Sequence, residues 1–193
     1  MDNSLLLTEF RRVVEFPDKD FAKVIPLFEI LKVKKNEHLF QSGNIAKYVY
    51  FIQRGCMRQY YINKNGNERI IYFKVECGWC SELLSFLNNT PTELNLQALE
   101  DCNVLMISQK NWIYAVTHIP PFTMYFIKAQ QDTNYMLKKR LAEATVETPE
   151  EKYLRFIKEE PHLLQRLPLY HIASYLTMTP ETLSRIRKKI TKK

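Results

Sequence analysis

The chain contains only four glycines, and their placement constrains its architecture more than any other feature. They stand at Gly43, Gly55, Gly66 and Gly78, spaced 12, 11 and 12 residues apart, and none follows position 78. Turns at that interval leave room for one short strand between each pair. The intervening residues suit strands. Tyr48-Val49-Tyr50-Phe51-Ile52 is aromatic and β-branched, Met57 to Ile62 carries Tyr60 and Tyr61, and Arg69 to Phe73 repeats the pattern. Asn65-Gly66 predicts a two-residue type I′ turn, because both central positions of that turn need positive φ. Leu94 to Leu99 alternates apolar with polar residues, and Val104 to Ile107 closes the series. Residues 28–108 are expected to form an antiparallel β-roll or barrel.

On either side the pattern is helical. Leu5–Val14 and Asp18–Leu27 read as short helices limited by Pro17 and Pro26. Gln109–Val116 is a short helix, and Pro120-Pro121 then opens a long one running to about Ala144. Its apolar or small residues Phe122, Phe126, Ala129, Thr133 and Met136 repeat at intervals of 4, 3, 4 and 3. Such a seam serves a dimer helix or a helix packed on its own barrel, and the pattern admits both. Thr148 is placed to cap a helix over 149–160, with Glu151 completing a capping box. A shorter helix is expected over 162–165. The chain therefore reads as α+β in three segments: 1–118 a β-roll with flanking helices, 119–146 a long helix and hinge, and 147–193 an all-α domain.

Charge separates these segments. The formal net charge is +7, and residues 161–193 hold +6 of it: seven Lys and Arg against Glu181 alone. A solvated tail and a polyanion partner both explain that asymmetry. With 46% hydrophobic residues the composition is that of a globular protein. There is no run of 18 apolar residues and no signal-peptide pattern in Met1–Glu9, so a cytoplasmic protein with reduced thiols and no membrane association is expected.

The helical pattern within the basic segment decides between the two explanations. Leu169–Leu176 is amphipathic, Thr177-Met178-Thr179 breaks it, and a second helix starts at Pro180, with Thr179 as N-cap. Ile172, Leu176, Leu183, Ile186 and Ile190 supply the inward faces, and Ala173 permits close approach. Two short helices joined by such a turn form a helix-turn-helix. On the second helix Glu181 suits cytosine N4, and Arg185, one turn on, suits guanine O6 and N7. Thr179, Thr182 and Ser184 suit phosphates or bases. Arg187, Lys188 and Lys189 suit phosphates, as do Lys192 and Lys193.

These segments resemble the Crp/Fnr family of bacterial transcription regulators. The resemblance is carried by Phe40-Gln41-Ser42-Gly43, Tyr50 to Gly55, Asn65 to Glu68, Gln97 to Asp101 and above all Ile172 through Lys189. It implies a cyclic-nucleotide-binding-like β-roll, a long dimerisation helix (120–144) and a DNA-binding domain. The implied assembly is a homodimer on a near-palindromic double-stranded operator. Nucleotide-binding relatives carry Gly-Glu at the start of a phosphate cassette and an Arg about ten residues later, whereas Ser81-Glu82 and Thr92 match here. The expected pocket residues are Glu82, Leu83 and Thr92. Glu82 is able to hold a ribose hydroxyl, but Thr92 cannot pair a buried phosphate. Cyclic AMP is thus not the expected effector, and an unknown small molecule is. Many relatives continue into a β-wing, and after Ile190 a full wing is not expected here.

The remaining motifs point elsewhere only weakly. Cys77-Gly78-Trp79-Cys80 lies after a strand rather than in the βαβ setting of a redox motif, and Cys56 and Cys102 form no second close pair for zinc. His38, His118, His162 and His171 are dispersed, and no phosphate loop or Gly-x-Ser-x-Gly occurs. No metal, cofactor or enzymatic activity is expected. The main rival reading is a small-molecule-binding barrel whose C-terminal helices make protein contacts only.

Overall fold

The computed structural model describes residues 4–191. Two helices, α1 (Ser4–Val13) and α2 (Asp18–Val24), precede the strands, and a 3-10 turn over Ile25–Leu27 joins them to the roll. Then come β1 (Phe28–Val33), β2 (His38–Phe40), β3 (Tyr48–Arg54), β4 (Met57–Ile62), β5 (Glu68–Lys74), β6 (Trp79–Cys80), α3 (Leu83–Asn88), β7 (Asn95–Ala98) and β8 (Cys102–Ser108). The helices α4 (Gln109–His118), α5 (Pro120–Val146), α6 (Pro149–Glu159), α7 (Leu169–Tyr175) and α8 (Pro180–Thr191) complete the order. The strands form two four-stranded sheets, ordered β1-β8-β3-β6 and β2-β7-β4-β5. β8 is antiparallel to both β1 and β3, setting Leu105 opposite Ile30 on one side and Phe51 on the other.

The β4–β5 turn differs from the expected type I′. Gly66 has φ +77 but Asn65 is not left-handed. Gly66 N–H donates to the Asn63 carbonyl at 2.9 Å, and Asn63 N–H to the Asn67 carbonyl at 3.0 Å. This is a type I turn followed by a left-handed glycine, the three-residue hairpin solution. The reason lies in Asn63, whose side-chain oxygen accepts the N–H groups of Asn65 and Asn67 and holds the tighter alternative open. Gly55 has a different constraint: at φ +113 a Cβ would lie 2.9 Å from the backbone of Cys102. The 162–165 helix is a 3-10 turn over Pro161–Leu163, and α3 was not expected.

The chain packs as two units, Met1–Gln59 with Phe73–Asn134, and Tyr60–Tyr72 with Tyr135–Lys193. The first has an aromatic core. Phe10 stacks on Phe16 at 4.6 Å between centroids, and Trp79 meets Phe51 at 5.0 Å and Phe126 at 4.9 Å. One polar chain crosses this core. Trp79 Nε1 donates to the Tyr125 hydroxyl at 2.8 Å, and that hydroxyl donates to Glu9 Oε1 at 2.8 Å. Arg12 closes the chain with two bonds to the Glu9 carboxylate, at 2.8 and 2.9 Å. Burial, then the Glu9 charge, push the Tyr125 hydroxyl up, so it stays protonated as the donor.

The first half of α5 belongs to this core. Phe122 is fully buried, and Phe126 and Ala129 pack against the same cluster. The expected seam therefore faces its own roll over these three residues, while Thr133 and Met136 farther along are exposed. The opposite face of the helix exposes Met124, Ile127, Tyr135 and Leu141.

The second unit has a thinner core. Tyr60, Ile70, Tyr153, Phe156, Ile172 and Leu183 are among its larger buried residues. The Thr148–Glu151 capping box forms as expected. Around it, Arg155 makes two bonds to Glu147, at 2.8 and 2.9 Å, and also meets Glu159 at 3.3 Å and Glu143 at 3.5 Å. No helix among the described residues is long and apolar enough to cross a membrane.

Candidate nucleic-acid interface

The helix-turn-helix is built from α7 and α8. Leu176 ends α7, and Thr177 stands in the left-handed region at φ +57. Met178 N–H then reaches the Ala173 carbonyl at 3.0 Å, and Thr177 N–H the Ser174 carbonyl at 3.2 Å, which is a Schellman turn. A β-branched residue is strained there, and the turn holds because buried Ile172, Ala173 and Leu176 fix one side of it and Leu183 the other. Thr179 Oγ1 accepts Thr182 N–H at 3.2 Å, so it is the N-cap of α8.

On α8 the burial follows helical periodicity. Leu183 and Ile186 are buried, whereas Glu181, Ser184, Arg185, Arg187, Lys188 and Lys189 are exposed. Glu181 and Arg185 thus emerge on one outward face. The Glu181 carboxyl lies below its usual range because its own backbone N–H and the Thr179 hydroxyl bond to it, and it is charged at neutral pH. Arg185 leans back to Thr182 Oγ1 at 3.4 Å, a long contact that leaves its fork exposed. The Lys189 ammonium pairs with Glu150 on α6 at 2.5 Å. Between α6 and α8 lies an open groove of about 390 Å³, floored by Ile186 and walled by Glu150, Thr182, Arg185 and Lys189. Lys192 and Lys193 lie outside the described residues.

Behind α7 the second unit has polar contacts that no sequence pattern announced. Ser174 Oγ donates to the Glu68 carbonyl at 2.9 Å and accepts Ile70 N–H at 3.2 Å. Arg140 on α5 donates to the Ile71 carbonyl at 2.7 Å and to the Tyr175 carbonyl at 2.9 Å. Its guanidinium carbon sits 3.8 Å from the centroid of the Tyr175 ring.

In the roll, the expected pocket residues lie on one stretch but are individually engaged. Glu82 caps α3, with its carboxylate accepting Leu84 N–H at 3.3 Å and Ser85 N–H at 2.7 Å. Leu83 opens that helix half-buried. Thr92 is buried, and its hydroxyl accepts Leu94 N–H at 3.0 Å. Gln59, which sequence reasoning missed, is buried on β4 and donates to the Ser81 carbonyl at 3.2 Å. A glutamine between two aromatic or apolar stretches carries no motif, so nothing in the sequence marked it.

The four cysteines are free thiols. Cys77 occupies a turn at φ +66, and Cys80 lies buried on β6 opposite Tyr50. Burial pushes Cys80 up to about 12 and Cys102 up to about 11, so both stay protonated and unreactive at neutral pH. Among the described residues no group of three or more His, Cys, Asp or Glu is placed to hold a metal ion.

Residues 30–116 match the family model of the cyclic nucleotide-binding domain. Among curated proteins, none matches the chain in sequence. Solved structures do match it in shape. FixK2 from Bradyrhizobium japonicum is 17% identical, with a TM-score of 0.72 over 86% of this chain and 85% of that one. The c-di-GMP-responsive global regulator CLP of Xanthomonas campestris is 14% identical, with a TM-score of 0.73 over 91% and 92%. A protein from Eubacterium rectale described as a transcriptional regulator of the Crp/Fnr family is also 14% identical, with a TM-score of 0.70 over 91% and 84%. The chain has the Crp/Fnr fold. Within that fold the domain match begins in β1 and ends in α4, so it spans the roll with Glu82, Leu83 and Thr92 and stops short of α5. The likeness to solved structures covers 86% and 91% of the chain, so the shared fold reaches well beyond the roll.

Proposed function

We propose that this chain is a homodimeric, DNA-binding transcription regulator that reads a near-palindromic operator with α8. The observation that carries the reading is α8 itself: Leu183 and Ile186 seat it, while Glu181, Ser184, Arg185, Arg187 and Lys188 face outward. That arrangement suits insertion into a major groove, with Glu181 and Arg185 against base edges and Arg187 and Lys188 against phosphates. Thr179, Thr182 and Ser184 lie on the turn and first turns, where phosphate contacts are made. Lys189 takes part only if it leaves Glu150. The division of labour follows the three segments, 1–118 for sensing, 119–146 for dimerisation and 147–193 for DNA. The exposed Met124, Ile127, Tyr135 and Leu141 supply the face of α5 on which a second copy would pack.

A gel shift with DNA from upstream of the chain's own gene tests the reading. The expected result is a specific complex that weakens steeply with salt. Arg185→Ala abolishes the specific complex while the dimer persists in sedimentation. An intact footprint in that variant refutes the assignment, and no complex with any DNA favours the protein-contact reading of these helices.

For the effector, the reading is a small molecule other than cyclic AMP. Its support is that Thr92 offers no charge to a cyclic phosphate and that Glu82 and Gln59 already bond to the backbone around α3. Calorimetric titration with cyclic AMP is expected to show no heat of binding, and micromolar affinity overturns this.

A further inference from the structure

The second unit joins two segments far apart in sequence: the β4–β5 hairpin (60–72), and 135–193 with the end of α5, α6 and the helix-turn-helix. β5 is the outer strand of its sheet. An outer strand exposes N–H and C=O groups that need partners. Here Ser174 of α7 bonds to two of them, Ile70 N–H and the Glu68 carbonyl. Arg140 adds a third bond to β5. Its guanidinium bridges the Ile71 carbonyl to the Tyr175 carbonyl and lies over the Tyr175 ring. Five donors in a rigid plane make this geometry possible for arginine and not for lysine.

A second tether acts on a different helix. Arg155 ties α6 back to Glu143 on α5 and to Glu147 just after it. One tether on α6 would still allow rotation about the 147–148 junction. A second on α7, the helix that carries α8, removes that freedom.

We propose that Arg140, with Ser174, is a positioning residue for DNA recognition: it fixes the angle at which α8 is presented and so sets the half-site spacing that the dimer accepts. The inference rests on the DNA-binding dimer proposed above. Two recognition helices reading half-sites one helical turn apart need a defined separation. The bonds to β5, made within the same unit, add a fixed point for α7 besides the junction. The Arg140 guanidinium is already engaged by the Ile71 and Tyr175 carbonyls and the Tyr175 ring, so its role is positioning and not base contact.

The test is binding-site selection from a random double-stranded DNA pool, run with the full-length protein, Arg140→Ala and Ser174→Ala, with circular dichroism confirming the fold of each. Wild type is expected to select two inverted half-sites at a single spacing. Arg140→Ala is expected to select the same half-site sequence at several spacings, and Ser174→Ala to do so to a smaller degree. Arg140→Lys is expected to resemble the alanine variant. If Arg140→Ala keeps the single spacing, the proposal is wrong. Should that variant fail to fold, Ser174→Ala decides in its place, and an unchanged single spacing there overturns the proposal. If wild type selects no DNA at all, the DNA-binding reading itself falls, which is a distinct outcome from a variant that keeps its spacing.

Discussion

The two units of this molecule are held together by different physics. The first is an aromatic core in which Phe10, Phe16, Phe51, Phe86, Phe122 and Tyr125 are almost wholly buried, pinned by one buried polar chain. The second buries fewer large side chains and is drawn together by arginines, Arg155 onto three glutamates and Arg140 onto two carbonyls. Apolar burial barely responds to salt or acid, whereas partly exposed ion pairs respond to both. The contacts of the second unit are therefore the ones that salt and acid adjust.

Each side of the comparison can be attacked. The largest effect is expected from Phe122→Ala, which empties the centre of the first unit and costs about 3–5 kcal/mol. Both tryptophans, Trp79 and Trp112, lie in that unit. Urea unfolding followed by tryptophan fluorescence therefore reads it directly, and the loss is expected to be equal at low and high salt. A strong salt dependence would show that the apolar account of this unit is wrong. Next comes Tyr125→Phe, which leaves the Trp79 N–H without its partner and takes one donor from Glu9. The expected cost is about 1–3 kcal/mol in the same assay.

The legible parts of the fold were those with local signals. The roll, the long helix, the Thr148 capping box and the α7–α8 pair each follow from turn residues, caps or periodicity within a dozen residues. The parts that were not legible depend on distant partners. Asn65-Gly66 predicted the wrong turn because Asn63, outside the dipeptide, accepts two backbone bonds. The seam on α5 was correctly spaced, yet only the fold shows that Phe122 and Phe126 meet their own roll. The partner of Lys189 was not legible either, because Glu150 lies 39 residues earlier. Arg140 and Ser174 had no motif at all.

A smaller effect, opposite in sign, is expected at Thr177. Its φ of +57 suits glycine better than a β-branched residue. Thr177→Gly is expected to stabilise the second unit by about 0.5–1.5 kcal/mol, less than the full strain because glycine also loosens the unfolded chain. Thermal melts followed by helical circular dichroism check it. If the variant melts earlier, the threonine hydroxyl bond to the Leu176 carbonyl outweighs the strain.

The smallest and most discriminating effect is that of acid on the Arg155 cluster. The Arg155 guanidinium holds the Glu147 carboxyl below its ordinary value of 4.5. Glu151 is also held low, by the Thr148 backbone N–H and hydroxyl. A depressed carboxyl stabilises the folded state at every pH above its unfolded value, and that stabilisation is lost as pH falls through the lower folded value. The second unit is therefore expected to lose stability between about pH 5 and about pH 2, while Arg155 itself stays charged throughout. Protease cleavage near residues 147–148 should rise over that window, before tryptophan fluorescence reports any change in the first unit. Arg155→Ala should remove the part due to Glu147 and leave the part due to Glu151, so the variant's acid response should be shallower but present. An acid response of full size in Arg155→Ala would mean that the ion pairs do not hold this unit. The contrast between an apolar first unit and a charge-tethered second would then have to rest on Arg140, whose two carbonyl partners do not titrate.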